Sequence, residues 1–212
     1  MTRFMKAFMK NSIPTDATRR MVVAGLIGSA AFFAAPAAFA LSDAEARRLI
    51  DSAVNDINAI INSGRSERAM YGDFERVFRK YADVPTIARS ALGPPARGAS
   101  AAQMRAFTDA FAGYLSRKYG KRFRDFIGGR IEVTGARSVK NFQEVQAVAR
   151  LQGQAPFAIS FMVSDRSGRD LFFDLLIEGI SLLKSERAEI GAMLDRRRGN
   201  IDALIADLQR AG

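Results

Sequence analysis

The sequence predicts an α+β domain, with helices first, then a four-stranded antiparallel sheet, then helices folding back over it. Apolar residues recur at spacings of three and four from Ala46 to Leu115 and again from Ile190 to Leu208. Between Arg130 and Ile177 the period falls to two, with short polar turns separating the alternating runs. Strands joined in that way pair antiparallel, with one face packed and the other less so.

The first helix begins at Ser42, where Glu45 three residues on completes a capping box. It carries Ala46, Leu49, Ile50, Ala53, Val54, Ile57, Ile60 and Ile61 on one face, and Gly64 stops it. A second helix runs through Phe74, Val77, Phe78 and Tyr81, and a short third holds Val84, Ile87, Ala88, Ala91 and Leu92 before Gly93-Pro94-Pro95 ends it. The fourth is long, starting after Ser100 and bearing Met104, Phe107, Phe111, Tyr114, Leu115 and Lys118. The alternating runs are Arg130 to Thr134, Glu144 to Leu151, Phe157 to Ser164 and Leu171 to Ile177, with a turn at Asp165-Arg166-Ser167-Gly168. Two closing helices carry Ile190, Met193 and Leu194, then Ile201, Leu204, Ile205 and Leu208.

The first forty residues read differently. Arg3, Lys6, Lys10, Arg19 and Arg20 form a basic lead, Met21 to Ala40 is uncharged and apolar, and Ala38-Phe39-Ala40 is a small-x-small site followed at once by polar sequence. That order is a secretory signal. A run of this length also reaches across a bilayer, but Gly25, Gly28 and Ser29 dilute it and Pro36 breaks it, so removal of residues 1 to 40 is expected. Thr18-Arg19-Arg20 also fits a twin-arginine signal, and both export routes stand. The remaining 41–212 form one domain and keep +6 of the chain's +10 net charge. That excess suits anionic lipid or an acidic protein; export disfavours nucleic acid.

Cysteine, histidine and tryptophan are absent. The exported domain therefore folds on its core without disulfides, and the usual metal ligands and the commonest general base are missing. No cofactor or metal is expected. The enzymes left open use paired carboxylates, Ser with Lys, or Tyr.

Two carboxylates are candidates for such chemistry. Glu178 ends the last apolar strand beside Gly179, and Asp174 stands four residues before it on the same strand. As a general acid Glu178 would need a partner nearby, and the alternation supplies none. In the structural reading Glu178 leaves the sheet at its rim, Gly179 makes the turn and Ser181 caps the next helix. Arg196-Arg197-Arg198 either meets phosphate or is a solvated link between the closing helices. Arg117, Lys118, Lys121, Arg122 and Arg124, interleaved with Tyr114, Tyr119, Phe123 and Phe126, suit either a core-packed helix end or a surface for acidic partners. The inward phenylalanines make either a solid core or an apolar pocket between sheet and helices.

Three stretches carry a family resemblance: Phe78-Arg79-Lys80-Tyr81-Ala82-Asp83-Val84-Pro85-Thr86-Ile87-Ala88 leading to Ala91-Leu92-Gly93; Phe107 to Tyr119; and Leu175-Leu176-Ile177-Glu178-Gly179-Ile180-Ser181-Leu182. Together they resemble the MlaC family, also described as toluene-tolerance auxiliary proteins. These are periplasmic carriers that ferry phospholipid between the membranes of Gram-negative bacteria. The chain departs from the family's tryptophans, with Gly168-Arg169-Asp170-Leu171 at the start of the last strand and Pro94-Pro95 after the third helix.

The resemblance implies a non-enzymatic lipid shuttle with no cofactor beyond its phospholipid cargo. Its implied partners are an outer-membrane lipoprotein complex and an inner-membrane ABC transporter with its MCE-domain subunit. The expected lipid contacts are Phe107, Phe111 and Leu115 on the long helix with Val133, Val145, Ala147, Phe157, Ile159, Phe161, Phe173, Leu175 and Ile177 on the strands. Were the opposite sheet face the inner one, the strand set would shift by one residue. The cluster Arg117, Lys118, Lys121, Arg122 and Arg124 is expected to dock partners, with charge reversal at Lys118 and Lys121 as its test. The alternatives are a secreted hydrolase using Glu178 or Asp174, and a solid-core interaction domain.

Overall fold

Ser42 and Ser100 each begin a helix through a capping box, the hydroxyl accepting from the N–H three residues on while Glu45 or Gln103 accepts from the serine N–H. The computed structural model describes residues 41–121 and 126–211. The expected leader, Arg122 and Arg124 lie outside the described residues. The helices are α1 (Asp43–Ile61), α2 (Glu67–Tyr81), α3 (Val84–Leu92), α4 (Ala101–Gly120), α5 (Leu182–Arg196) and α6 (Ile201–Arg210), with a 3₁₀ turn at Pro94–Arg97. The strands are β1 (Arg130–Val139), β2 (Phe142–Arg150), β3 (Phe157–Ser164), β4 (Leu171–Ile177) and β5 (Ile180–Ser181), ordered β1-β2-β3-β4-β5 with every neighbour antiparallel.

The sheet thus has the four expected strands and a two-residue fifth, which exists because of its turn. Glu178 has φ 49° and Gly179 φ 77°, and Ile177 pairs with Ile180 across them. Two central residues in the left-handed region make a tight hairpin whose twist matches the strands. The Glu178 carboxylate accepts from the Ala158 N–H, and its own N–H donates to the Ala158 carbonyl at 3.0 Å. Ser181 then caps α5, accepting from the Lys184 N–H at 3.1 Å. Space around Gly179 is open, so Gly179→Val acts through the backbone alone and is expected to cost about 1–2 kcal/mol in urea unfolding. Glu178→Asn, which tolerates the same conformation, should leave the midpoint nearly unchanged.

Two departures from simple alternation shape the sheet. β1 runs beyond the expected Thr134 to Val139 by way of a bulge between Val133 and Gly135. In β4 the register slips so that Phe172 faces Val163 and Asp174 faces Met162, leaving Phe173 as the extra residue. Phe172, not Phe173, therefore packs on Phe161 and Phe78, with ring centroids 5.7 and 6.2 Å away.

The core has two main parts. One lies among α3, α4, α5 and α6, where Phe107, Phe111, Ile190, Leu204 and Leu208 are fully buried. The other lies between α1 and the sheet, where Ala46, Ile50 and Val54 meet Val145, Ala147, Ile159, Phe161 and Val163. The Asp83 N–H, donating to the Phe172 carbonyl at 2.8 Å, joins the α2–α3 corner to β4, and Asp83 caps α3 at the Thr86 N–H. The triple arginine is a link between helices: Arg197 makes two hydrogen bonds to Asp207 on α6, at 2.5 and 2.8 Å, and Arg198 has φ 54°.

Candidate functional site

Between these two packed regions the interior is hollow. A cavity of about 410 Å³ is bounded by Ala53 and Ile57 of α1, Phe74, Val77 and Phe78 of α2, Ile87 of α3, Leu115, Ser116 and Tyr119 of α4, and Leu182, Leu183 and Glu186 of α5. Its sheet wall is Ile131, Phe157, Ile159, Phe161 and the run from Phe172 to Leu175 with Ile177, and Phe126, Leu151 and Gln154 complete it. The wall is apolar nearly throughout, and the volume falls in the ordinary range for small-molecule sites. A second concavity, about 440 Å³, lies between α1 and α2, but its charges satisfy one another: Asp73 takes Arg65 and Arg76, and Asp56 takes Lys80 and Tyr81.

Of the residues expected to touch cargo, Leu115, Phe157, Ile159, Phe161, Phe173, Leu175 and Ile177 line this cavity. The other five do not. Phe107 and Phe111, stacked at 5.7 Å, fill the helical core, because α4 turns this face to α3 and α6 and only its last turns reach the cavity. Val133, Val145 and Ala147 point to the expected sheet face, but α1 lies directly on them and leaves no space. The α1 and α2 walls were missed, although the helical stripe through Phe74, Val77 and Phe78 marks them as inward-facing. Also missed was the cavity's polar end.

That end is built around Glu186, which is 2 % exposed. Its Oε1 accepts from the Lys118 ammonium at 2.6 Å and from the Tyr119 hydroxyl at 2.5 Å, while its Oε2 is buried without a hydrogen-bond partner among the described residues. Lys118 also donates to Glu189 at 2.6 Å, and Glu189 accepts from Tyr114 at 2.6 Å. Burial alone would lower the Lys118 pKa, but its bonds to Glu186, Glu189 and Tyr114 outweigh burial and hold it well above the usual lysine value. Burial, then donation to Glu186 and Glu189 respectively, pushes the hydroxyls of Tyr119 and Tyr114 above the usual tyrosine range.

These shifts set a sign for stability. Groups with raised folded-state pKa values contribute fully below their unfolded values, about 10 for Tyr and Lys, and lose that contribution as pH climbs towards the folded ones. Melting midpoints should therefore drop above about pH 10, and Tyr119→Phe should flatten that limb.

Two cations of the basic cluster are engaged within the fold. Arg117 donates to the carbonyls of Ala211 and Leu208 at 2.9 and 2.6 Å, closing the end of α6, and Lys118 is held between Glu186 and Glu189. Both cations serve the fold, so charge reversal at Lys118 would report stability and not docking. The two candidate catalytic carboxylates are likewise occupied. Asp174 accepts from the Leu175 and Leu183 N–H groups and the Ser181 hydroxyl, at 2.8, 3.0 and 2.6 Å, and so anchors the start of α5. Glu178 is taken up by Ala158, and among the described residues neither has a second acid as a hydrogen-bond partner.

A family model described as MlaC protein matches residues 51–210. The chain belongs to the MlaC family. A solved structure of similar fold is the phospholipid-binding protein from Ralstonia solanacearum in complex with a phospholipid, with a TM-score of 0.67 and 19 % identity over 78 % of this chain and 95 % of that one. A search of the curated proteins finds no match. Two of the three stretches that carry the MlaC resemblance occupy joints of the fold: Phe78 to Ala88 makes the α2–α3 corner docked on β4, and Leu175 to Leu182 makes the β4–β5 turn and the α5 cap, while Phe107 to Tyr119 lies within α4. Where the family's tryptophans are absent, Pro94 and Pro95 open the 3₁₀ turn and Leu171 begins β4.

Proposed function

We propose that this protein is a periplasmic phospholipid carrier that moves lipid between the outer and inner membranes, its cargo's acyl chains held in the cavity. The observation that carries this reading is the cavity itself, an apolar chamber walled by phenylalanine, leucine, isoleucine and valine in a chain of the MlaC family. Exposing a methylene to water costs about 0.8 kcal/mol, so a two-tailed lipid does not cross an aqueous space bare. Tails passing from a bilayer into such a chamber exchange one apolar surrounding for another, and the transfer needs no chemistry. Direction comes from the partners, an outer-membrane lipoprotein complex at one side and an inner-membrane ABC transporter with an MCE-domain subunit at the other. Among the described residues no helix is long and apolar enough to cross a membrane. The expected leader at residues 1 to 40 supports export.

The test is mass spectrometry of an organic extract of the protein purified from bacterial periplasm without detergent. Phospholipid in near-stoichiometric amount is the expected result. Folded protein with no lipid, unable to take any up from vesicles, would overturn the proposal.

A further inference from the structure

Among the described residues the large apolar side chains left exposed are Ile127, at 51 %, and Ile180, at 67 %. Both stand at one end of the sheet. Ile127 lies in the loop leading into β1, and Ile180 follows the turn that ends β4. The register gathers this end: Ile131 faces Ala149, Ala149 faces Phe157, Ile159 faces Ile177, and Ile177 faces Ile180.

The cavity wall comes to the surface at the same end. Gln154, in the β2–β3 loop, is an exposed wall residue, and Phe126, Phe157 and Ile177 beside it are half-buried. Each isoleucine adjoins one of them, since Ile127 follows Phe126 in the chain and Ile180 is paired with Ile177. The two tips therefore stand at opposite edges of the sheet, at the end where the cavity wall reaches the surface.

The surrounding charge is positive. Arg130 and Arg150, with side chains 65 % and 48 % exposed, share the single carboxylate of Glu132. Lys184 is exposed in the first turn of α5, next to β5. The acid at the hairpin's turn, Glu178, is turned to the Ala158 N–H.

We propose that this rim docks directly on an anionic lipid bilayer, Ile127 and Ile180 entering the headgroup layer while Arg130, Arg150 and Lys184 lie over lipid phosphates. This rests on the reading of the cavity as a lipid site. A protein partner is the less suited occupant: a stable interface buries roughly 800 Å² per partner, and two separate isoleucines at loop tips fall far short of an apolar patch for it. Interfacial insertion asks only for a few apolar side chains beside cations. Planting both tips at the surface would bring the mouth of the cavity against the bilayer, so that tails pass between them without meeting water.

The experiment is flotation of the protein with vesicles of phosphatidylcholine, with and without phosphatidylglycerol, at low and high salt. The wild type is expected to float with the phosphatidylglycerol vesicles at low salt and to release as salt rises. Ile127→Ser with Ile180→Ser should lower that partition by at least about tenfold. Lys184→Glu should weaken it by about fivefold and reduce its salt dependence. All variants should keep the wild-type melting point and lipid content, since the altered side chains are exposed. Equal flotation of wild type and the double-serine variant would overturn the proposal. So would a wild type that carries lipid and does not float; that outcome would leave the carrier reading standing and assign the isoleucines to a protein partner. A protein that neither carries lipid nor takes it up would bring down the carrier reading itself.

Discussion

Lys118→Met is expected to destabilise the protein by about 3 kcal/mol, the lower end of the cost of breaking a buried ion pair. The substitution strands Glu186, which is 2 % exposed and already has one oxygen without a partner among the described residues. Lys118 itself keeps some contact with water, its side chain being 27 % exposed, which places the expectation at that lower end. For a domain of this size the melting midpoint should fall by about 10 °C. The control is the triple variant Lys118→Met, Glu186→Leu, Tyr119→Phe. It removes the ammonium, the carboxylate and the hydroxyl together, leaves Glu189 with Tyr114 at 2.6 Å, and should return to within about 1 kcal/mol of the wild type. If the triple variant were as unstable as the single one, the cost would lie in packing around Lys118 and not in a stranded charge. Urea unfolding of the two variants decides it.

The second large effect concerns cargo. Leu175 on β4 and Leu183 on α5 both line the cavity and are half-buried, so larger side chains there extend into empty space and not into packed core. Leu175→Trp with Leu183→Trp should lower phospholipid occupancy of the purified protein by at least about tenfold, because excluding two cargo methylenes costs about 1.6 kcal/mol. The melting midpoint should hold or rise as the hollow fills. The same substitutions at Phe107 and Phe111 would behave oppositely, overpacking the solid helical core and destabilising the protein. The contrast separates cavity wall from core by experiment: loss of lipid at constant stability marks the wall.

How far the site was legible follows from what periodicity reports. Alternation along Phe157 to Val163 grouped the side chains that share a face without choosing between the two faces, and Phe157, Ile159 and Phe161 line the cavity. On α4 the helical stripe runs unbroken from Phe107 to Leu115, yet its first part is solid core and its end is cavity. Nothing in a stripe distinguishes the two, because the difference lies in how closely α3 and α6 approach one part and not the other. Lys118 shows the same limit in charge. Beside Arg117 and Lys121 it reads as a surface cation, whereas its partner Glu186 is 68 residues away and becomes a neighbour only when α5 packs on α4. The bulge opposite Met162 and Val163 breaks strict alternation in β4, so Phe172, which alternation turns away from Phe173, joins it in the cavity wall.

The amino-acid sequence alone determined the order of helices and strands, the capping box at Ser42, the helix start after Ser100, the turn at Glu178-Gly179 and which strand residues share a face. Each rests on interactions between residues a few positions apart, and local spacing encodes those directly. Only the tertiary structure decided that the interior is partly hollow, which inward faces border the hollow, and which cations are spent on buried carboxylates. Those outcomes depend on distances between elements remote in the chain, and such distances are set by the packing of all the elements together.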